Sequence, residues 1–104
     1  MKRQMIAVFI LALALGLPAA AATPDADLYK TKCATCHGAD GSGSTPVGKS
    51  MKIRDLRSDE VRKQTDVELT KVIAGGKGKM PAYGKQLSTT QIESLIAFIR
   101  TLKK

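Results

Sequence analysis

Toward its C-terminal end the chain carries one apolar stripe. Ile92, Leu95, Ile96, Ile99 and Leu102 recur at three- and four-residue intervals, the period of a helix burying one face. Ser88 precedes it as a cap with Gln91 at the box position, and Lys103 and Lys104 at its end suit the helix dipole. The stripe reads as core, not as a face for a partner. A second helix follows from Thr65-Asp66-Val67-Glu68, another capping-box pattern. Leu69, Val72 and Ile73 keep helical spacing behind it, and Gly75-Gly76 stops the run. Residues 58–64 allow a shorter turn before it. Near residue 24, Pro24 suits a first helical position, with Asp25 and Asp27 in the favourable first turn. Leu28 and Tyr29 give that helix an apolar edge. Residues 40–48 (DGSGSTPVG) read as an open loop, because Gly, Ser and Pro dominate them. Strand signal is slight. The expectation is an all-α fold of helix, loop, helix, loop, helix.

The first 22 residues stand apart from this pattern. Lys2 and Arg3 form a positive start, an uncharged apolar run follows from Met5 to Leu17, and Pro18 breaks it. Ala20-Ala21-Ala22 then supplies a small-residue cleavage pattern, so residues 1–22 are expected to be a cleaved secretory signal. The apolar run is short for a membrane span, which needs about 20 residues. An uncleaved anchor is therefore disfavoured, and no cysteine at the new terminus would take a lipid. The domain proper is expected over residues 23–104, enough for one domain. It carries 15 Lys and Arg against 9 Asp and Glu, a net charge of +6. So small a chain has trouble burying enough apolar surface by itself.

The chemistry sits in Cys33-Ala34-Thr35-Cys36-His37. A C-x-x-C-H run reads as the attachment site of a c-type haem. Thiols three residues apart fall on one face of a helical turn, where each can add to one vinyl group of the same porphyrin edge. His37, beside Cys36, is then placed to bind the iron, and it is the only histidine in the chain. A structural zinc site wants four ligands, whereas two Cys and one His are all that the chain offers. A thioredoxin-like pair wants a βαβ surrounding that the pattern lacks. Exported chains commonly spend cysteines on disulfides, but a bridge inside this motif would close only a tiny loop.

One histidine leaves the second axial position of the iron to be filled, and the choice separates an electron carrier from a ligand-binding haem protein. The candidates after residue 22 are Met51 and Met80. Met80 lies in a run of Gly and Lys followed by Pro81, with no helical stripe to join, so the usual role of core filler fits poorly. The glycines let the backbone pass close to a flat group, and Pro81 biases Met80 toward an extended conformation. Met80 is expected to be the ligand, and Met51 to pack near the porphyrin. A thioether favours ferrous iron and raises the reduction potential over two imidazoles.

These segments together resemble the class I cytochromes c, and among them the small exported monohaem bacterial carriers. The likeness rests on Cys33 to His37, on Gly38-Ala39-Asp40-Gly41, on GKGKMPAYG at residues 76–84 and on LSTTQIESLIAFIRTL at residues 87–102. The resemblance implies a small cytochrome c fold, three to four helices wrapped around one covalently bound haem. It implies thioethers at Cys33 and Cys36, a proximal ligand at His37 and a distal ligand at Met80. It also implies that the first and last helices cross, with Tyr29 near Phe98 or Ile99. Two positions depart from the family's pattern. Asp25 stands where a glycine is common at the crossing, and Lys49 where a proline often follows Gly48. The Lys49 carbonyl would then be the group that orients the His37 imidazole.

The function expected is that of a periplasmic one-electron carrier with no substrate of its own to transform. Lys49, Lys52, Lys77, Lys79 and Lys85 are expected in loops around the haem crevice, a basic rim suited to redox proteins with acidic docking patches. Export argues against nucleic acid as a partner, and no basic amphipathic anchor holds the chain on a membrane. A monomer is expected. The alternatives are a small haem enzyme or gas sensor with an open distal position, and a haem-free module using the C-x-x-C pair alone.

Overall fold

The computed structural model describes residues 22–104, so the expected secretory signal lies outside the described residues apart from Ala22. The expectation of an all-α domain holds. Among the described residues six helices follow in order: α1 Ala26–Lys32, α2 Ala34–His37, α3 Pro46–Met51, α4 Asp59–Lys63, α5 Asp66–Gly75 and α6 Thr89–Thr101. Apart from an isolated bridge between Lys77 and Met80, the described residues contain no strand. Six helices exceed the three or four expected, because several are too short to show a periodicity.

The two long helices form as their patterns require. In α6 the capping box closes in both directions: the Gln91 N–H donates to Ser88 Oγ at 3.1 Å, and the Ser88 N–H donates to Gln91 Oε1 at 2.8 Å. Ile92, Leu95, Ile96 and Ile99 are buried. Leu102 falls at the C-cap and is only half-buried. In α5 only the forward half of the box forms, from the Glu68 N–H to Thr65 Oγ1 at 3.1 Å. Leu69 and Ile73 are buried there, and the helix stops where Gly76 takes φ +74.

Two local expectations are corrected. Pro24 lies outside α1, since Asp25 is the cap and its carboxylate accepts from the Leu28 N–H at 2.9 Å. A carboxylate that caps an N-terminus leaves the preceding proline no helical role. The open loop over residues 40–48 also gives way to helix at its end. Thr45 caps α3 by accepting from the Gly48 N–H at 2.9 Å, and Pro46 takes the first turn, where its missing N–H costs nothing.

Helix α1 crosses α6 as the resemblance implies. Tyr29, 1% exposed, lays its ring against Phe98 with centroids 4.7 Å apart and planes tilted by 41°. Asp25 tightens the crossing from its backbone, whose N–H donates to the Ser94 carbonyl at 3.2 Å. On the other side of the core, Arg100 gathers the α4–α5 corner onto α6. Its guanidinium donates to the Arg62 and Gln64 carbonyls and pairs with Asp66 at 2.8 Å. The core is a single cluster of Tyr29, Val61, Leu69, Ile73, Leu87, Ile92, Leu95, Ile96 and Ile99.

Leu95, 1% exposed at the centre of that cluster, is expected to be the most costly α6 position to truncate. Leu95→Ala should lower the unfolding free energy of the haem-loaded protein by about 2–5 kcal/mol. Ser88→Ala should lower it by about 1 kcal/mol, the cost of a lost cap. Denaturant titration of both variants checks the order.

Candidate functional site

The motif folds into one helical turn of its own. Cys33 ends α1 and opens α2 with φ −119°, ψ −34°. Its carbonyl accepts from the His37 N–H at 2.9 Å and from the Cys36 N–H at 3.3 Å. Cys33, Cys36 and His37 are thus brought together, each half-buried, and the two thiols are not bridged.

The motif's carbonyls are tied down from outside. The Tyr29 hydroxyl donates to the Gly38 carbonyl at 2.7 Å, the Gly43 N–H to the His37 carbonyl at 2.7 Å, and Thr45 Oγ1 to the Cys36 carbonyl at 2.8 Å. Gly48 lets α3 lie directly on this turn. A Cβ there would stand 2.5 Å from the Cys36 carbonyl oxygen and closer still to that of Gly43.

The protonation states suit a covalent, metal-binding role. Burial first, and the neighbouring Cys36 thiol second, push the Cys33 thiol up to about 11. The thioredoxin-like alternative loses its setting, since the described residues contain no βαβ unit around the motif. Burial also lowers the pKa of His37, which keeps the ring neutral with a lone pair free for a metal. Its Nδ1 is buried without a hydrogen-bond partner. The expected bond to the Lys49 carbonyl is therefore absent. Lys49 has an N–H where a proline would not, and donates it to the Thr45 carbonyl at 2.8 Å. The residue is thereby drawn into α3, and its own carbonyl accepts from Lys52 at 3.3 Å.

Met80 sits in a tight turn. The Met80 N–H donates to the Lys77 carbonyl at 3.0 Å, the Lys77 N–H returns to the Met80 carbonyl at 3.3 Å, and Gly78 between them has φ +56. Gly76 (φ +74) is required beside it, since a Cβ there would stand 2.8 Å from the Met80 carbonyl oxygen. Met80 is half-buried and packs against the core cluster, whereas Met51 is 40% exposed at the end of α3. The exposed Met51 side chain is free to pack against a bound porphyrin, as expected, and takes no part in the core cluster. Sequence reasoning missed Tyr83. Its N–H donates to the Ile73 carbonyl at 2.9 Å, and its hydroxyl donates to the Lys32 carbonyl at 3.2 Å, one residue before Cys33. Two surface hollows of about 390 Å³ each lie elsewhere, one around Val67 between α5 and α6, one against the loop of Gly38, Asp40 and Ser42. Neither is lined by Cys33, Cys36, His37 or Met80.

An unbridged thiol pair with a neutral imidazole on one turn, backed by a buried orphan ring nitrogen, fits the attachment of haem through Cys33 and Cys36. The described residues hold no cluster of three or more His, Cys, Asp or Glu that would bind a bare metal ion. A helical domain with this motif defines a class: covalent haem proteins. The family comparison agrees. Residues 20–99 match the family described as cytochrome c oxidase, cbb3-type, subunit III. The chain belongs to this cytochrome c family, as a small class I c-type cytochrome carrying covalently bound haem c.

Its relatives fall into two lengths. The chain is 34% identical over 82 residues to the cbb3-type cytochrome c oxidase subunit FixP of Azorhizobium caulinodans, covering 79% of itself and 27% of that protein. It is 31% identical over 105 residues to cytochrome c6 of Rippkaea orientalis, covering 95% of itself and 92% of that protein. The chain thus spans about a quarter of the oxidase subunit and nearly all of the cytochrome c6. Among solved structures, the KustC0563 c-type cytochrome aligns with a TM-score of 0.71 at 28% identity, over 78% of this chain and 99% of that one. Among the described residues no helix is long and apolar enough to cross a membrane.

The contact at Gly48 yields a test. Gly48→Ala should lower the unfolding free energy by about 1–3 kcal/mol through overpacking, although alanine is the better helix former. Thermal unfolding of the haem-loaded variant, with the yield of attached haem, would measure it.

Proposed function

We propose that this protein is a periplasmic electron carrier whose haem is held by Cys33 and Cys36 and whose iron is ligated by His37 and Met80. The observation carrying the reading is the single turn that presents two unbridged thiols and a half-buried imidazole together. Haem c supplies, when bound, a one-electron ferric–ferrous couple. The chain's residues supply the rest. Cys33 and Cys36 would hold the porphyrin, each adding its S–H across one vinyl group with no leaving group. The thioether of Met80 is a soft, neutral donor that favours the reduced state. Hydrogen bonds to the carbonyls of Cys36, His37 and Gly38, from the Thr45 and Tyr29 hydroxyls and the Gly43 N–H, hold the motif's turn still, which limits reorganisation when charge changes.

Docking is assigned to lysines. Lys77 and Lys79 flank the turn that carries Met80, Lys85 follows Gly84, and all three are exposed. Lys49 and Lys52 are exposed too, but on α3 and its cap, not in a loop. A basic surface of this kind steers encounter with an acidic partner.

Three experiments test the reading. The isolated mature protein should have the mass of the chain from Thr23 plus one haem, with no free thiol. Met80→Ala should abolish the sulfur-to-iron absorption of the ferric state, and Met51→Leu should leave it. A five-coordinate resting spectrum in the unaltered protein would point instead to an open-site haem enzyme or sensor. Electron transfer to an acidic partner should slow as ionic strength rises, and charge reversal at Lys79 or Lys85 should flatten that dependence. Equal flattening by reversal at Arg62 or Lys63, on α4, would mean a response to net charge alone.

A further inference from the structure

Tyr83 spans the two segments that carry the proposed ligands. Its backbone is fixed at both ends: the N–H donates to the Ile73 carbonyl at 2.9 Å, and the carbonyl accepts from the Leu87 N–H at 2.9 Å. The next residue repeats the attachment, with the Gly84 N–H on the Ala74 carbonyl at 3.0 Å. The ring is half-buried and packs against the core cluster. Its hydroxyl then donates to the Lys32 carbonyl at 3.2 Å, across 51 residues of sequence. Lys32 is the last residue of α1 and precedes Cys33. No other side-chain hydrogen bond among the described residues joins the 76–86 segment to the α1–α2 turn. Met80 stands three residues before this strap, in a turn closed only on itself by the Lys77 bridge.

We propose that Tyr83 is a positioning residue for the Met80 ligand, its hydroxyl strapping the methionine segment to the end of α1 and so resisting displacement of the thioether. The proposal rests on the reading of Met80 as an iron ligand. Displacement of Met80 requires its segment to swing away from the motif, and the strap must break for that motion. Ring packing alone would hold the segment near the core without fixing its distance from Cys33.

Titration of the ferric haem-loaded protein with imidazole tests this, read by loss of the sulfur-to-iron absorption. Tyr83→Phe keeps the ring and removes the strap. It should retain the absorption without added ligand but bind imidazole roughly threefold to tenfold more tightly, the fold-change of one neutral hydrogen bond. Ser58→Ala removes the cap of α4 and should weaken the fold without changing imidazole affinity. Unchanged affinity in Tyr83→Phe overturns the strap. So does a gain confined to Tyr83→Leu, which would assign the effect to ring packing. If Met80→Ala keeps the absorption, the ligand reading fails and the strap with it; if Met80→Ala loses it while Tyr83→Phe behaves like the unaltered protein, only the strap fails.

Discussion

Tyr29 joins the fold to the site, and most of the described structure depends on that junction. Its ring fills the crossing of α1 and α6 against Phe98. Its carbonyl accepts from the Cys33 N–H at 2.8 Å, and its hydroxyl reaches the Gly38 carbonyl on the far side of the motif. One residue therefore links the helix crossing to both ends of the five-residue motif, through its carbonyl at Cys33 and its side chain at Phe98 and Gly38. Burial pushes its phenol pKa up, with smaller contributions from Cys33 and Asp40. The hydroxyl donates, and the buried Gly38 carbonyl has its partner. Loss of a buried bond of this kind costs more than the bond itself contributes, because the remaining group is left without water.

The two proposed ligand segments are held by different means. The motif side is tied by five bonds to its own carbonyls and by the seat at Gly48, so it behaves as a rigid turn. The methionine side is a narrow turn whose sharpness comes from Gly76 and Gly78 at positive φ. Glycine supplies that shape at the cost of chain freedom in the unfolded state. Rigidity on this side comes from neighbouring residues, through Tyr83 and Gly84 on the last carbonyls of α5. A rigid histidine side and a tethered methionine side suit a centre that must hold its ligands through a change of charge.

Legibility in the sequence followed length and locality. Helix α6 and the start of α5 could be read because periodicity and caps agree over ten or more residues. The C-x-x-C-H motif could be read because its chemistry lies within five consecutive residues. Helix α3 was lost, since six residues rich in Gly, Pro and Lys show no apolar period; Thr45 followed by Pro46 was its one signal. The Lys49 carbonyl was misassigned for a related reason. Residue 49 sits in α3 with its N–H on the Thr45 carbonyl, a bond that a proline could not make, and its carbonyl accepts from Lys52. Tyr83 left no mark, because nothing in a loop sequence indicates that a hydroxyl meets a carbonyl 51 residues away.

Core size closes the argument about why such a chain needs its cofactor. Nine buried apolar side chains make up the cluster, and only Tyr29 and Leu95 are fully enclosed. Cys33, Ala34, Met80, Tyr83 and Phe98 touch the cluster but remain half-buried. They come from the motif, from the methionine segment and from the α6 face beside Tyr29. A domain of this size is marginal when it relies on its own apolar surface. The half-buried residues are the ones that a large, flat, apolar group bound at Cys33 and Cys36 would help to cover. Haem attachment would then also complete the core. Residues 76–84 lie mostly outside the helices, and of these Gly76, Met80 and Tyr83 are half-buried, so such a group would add to the contacts that hold Met80 and Tyr83.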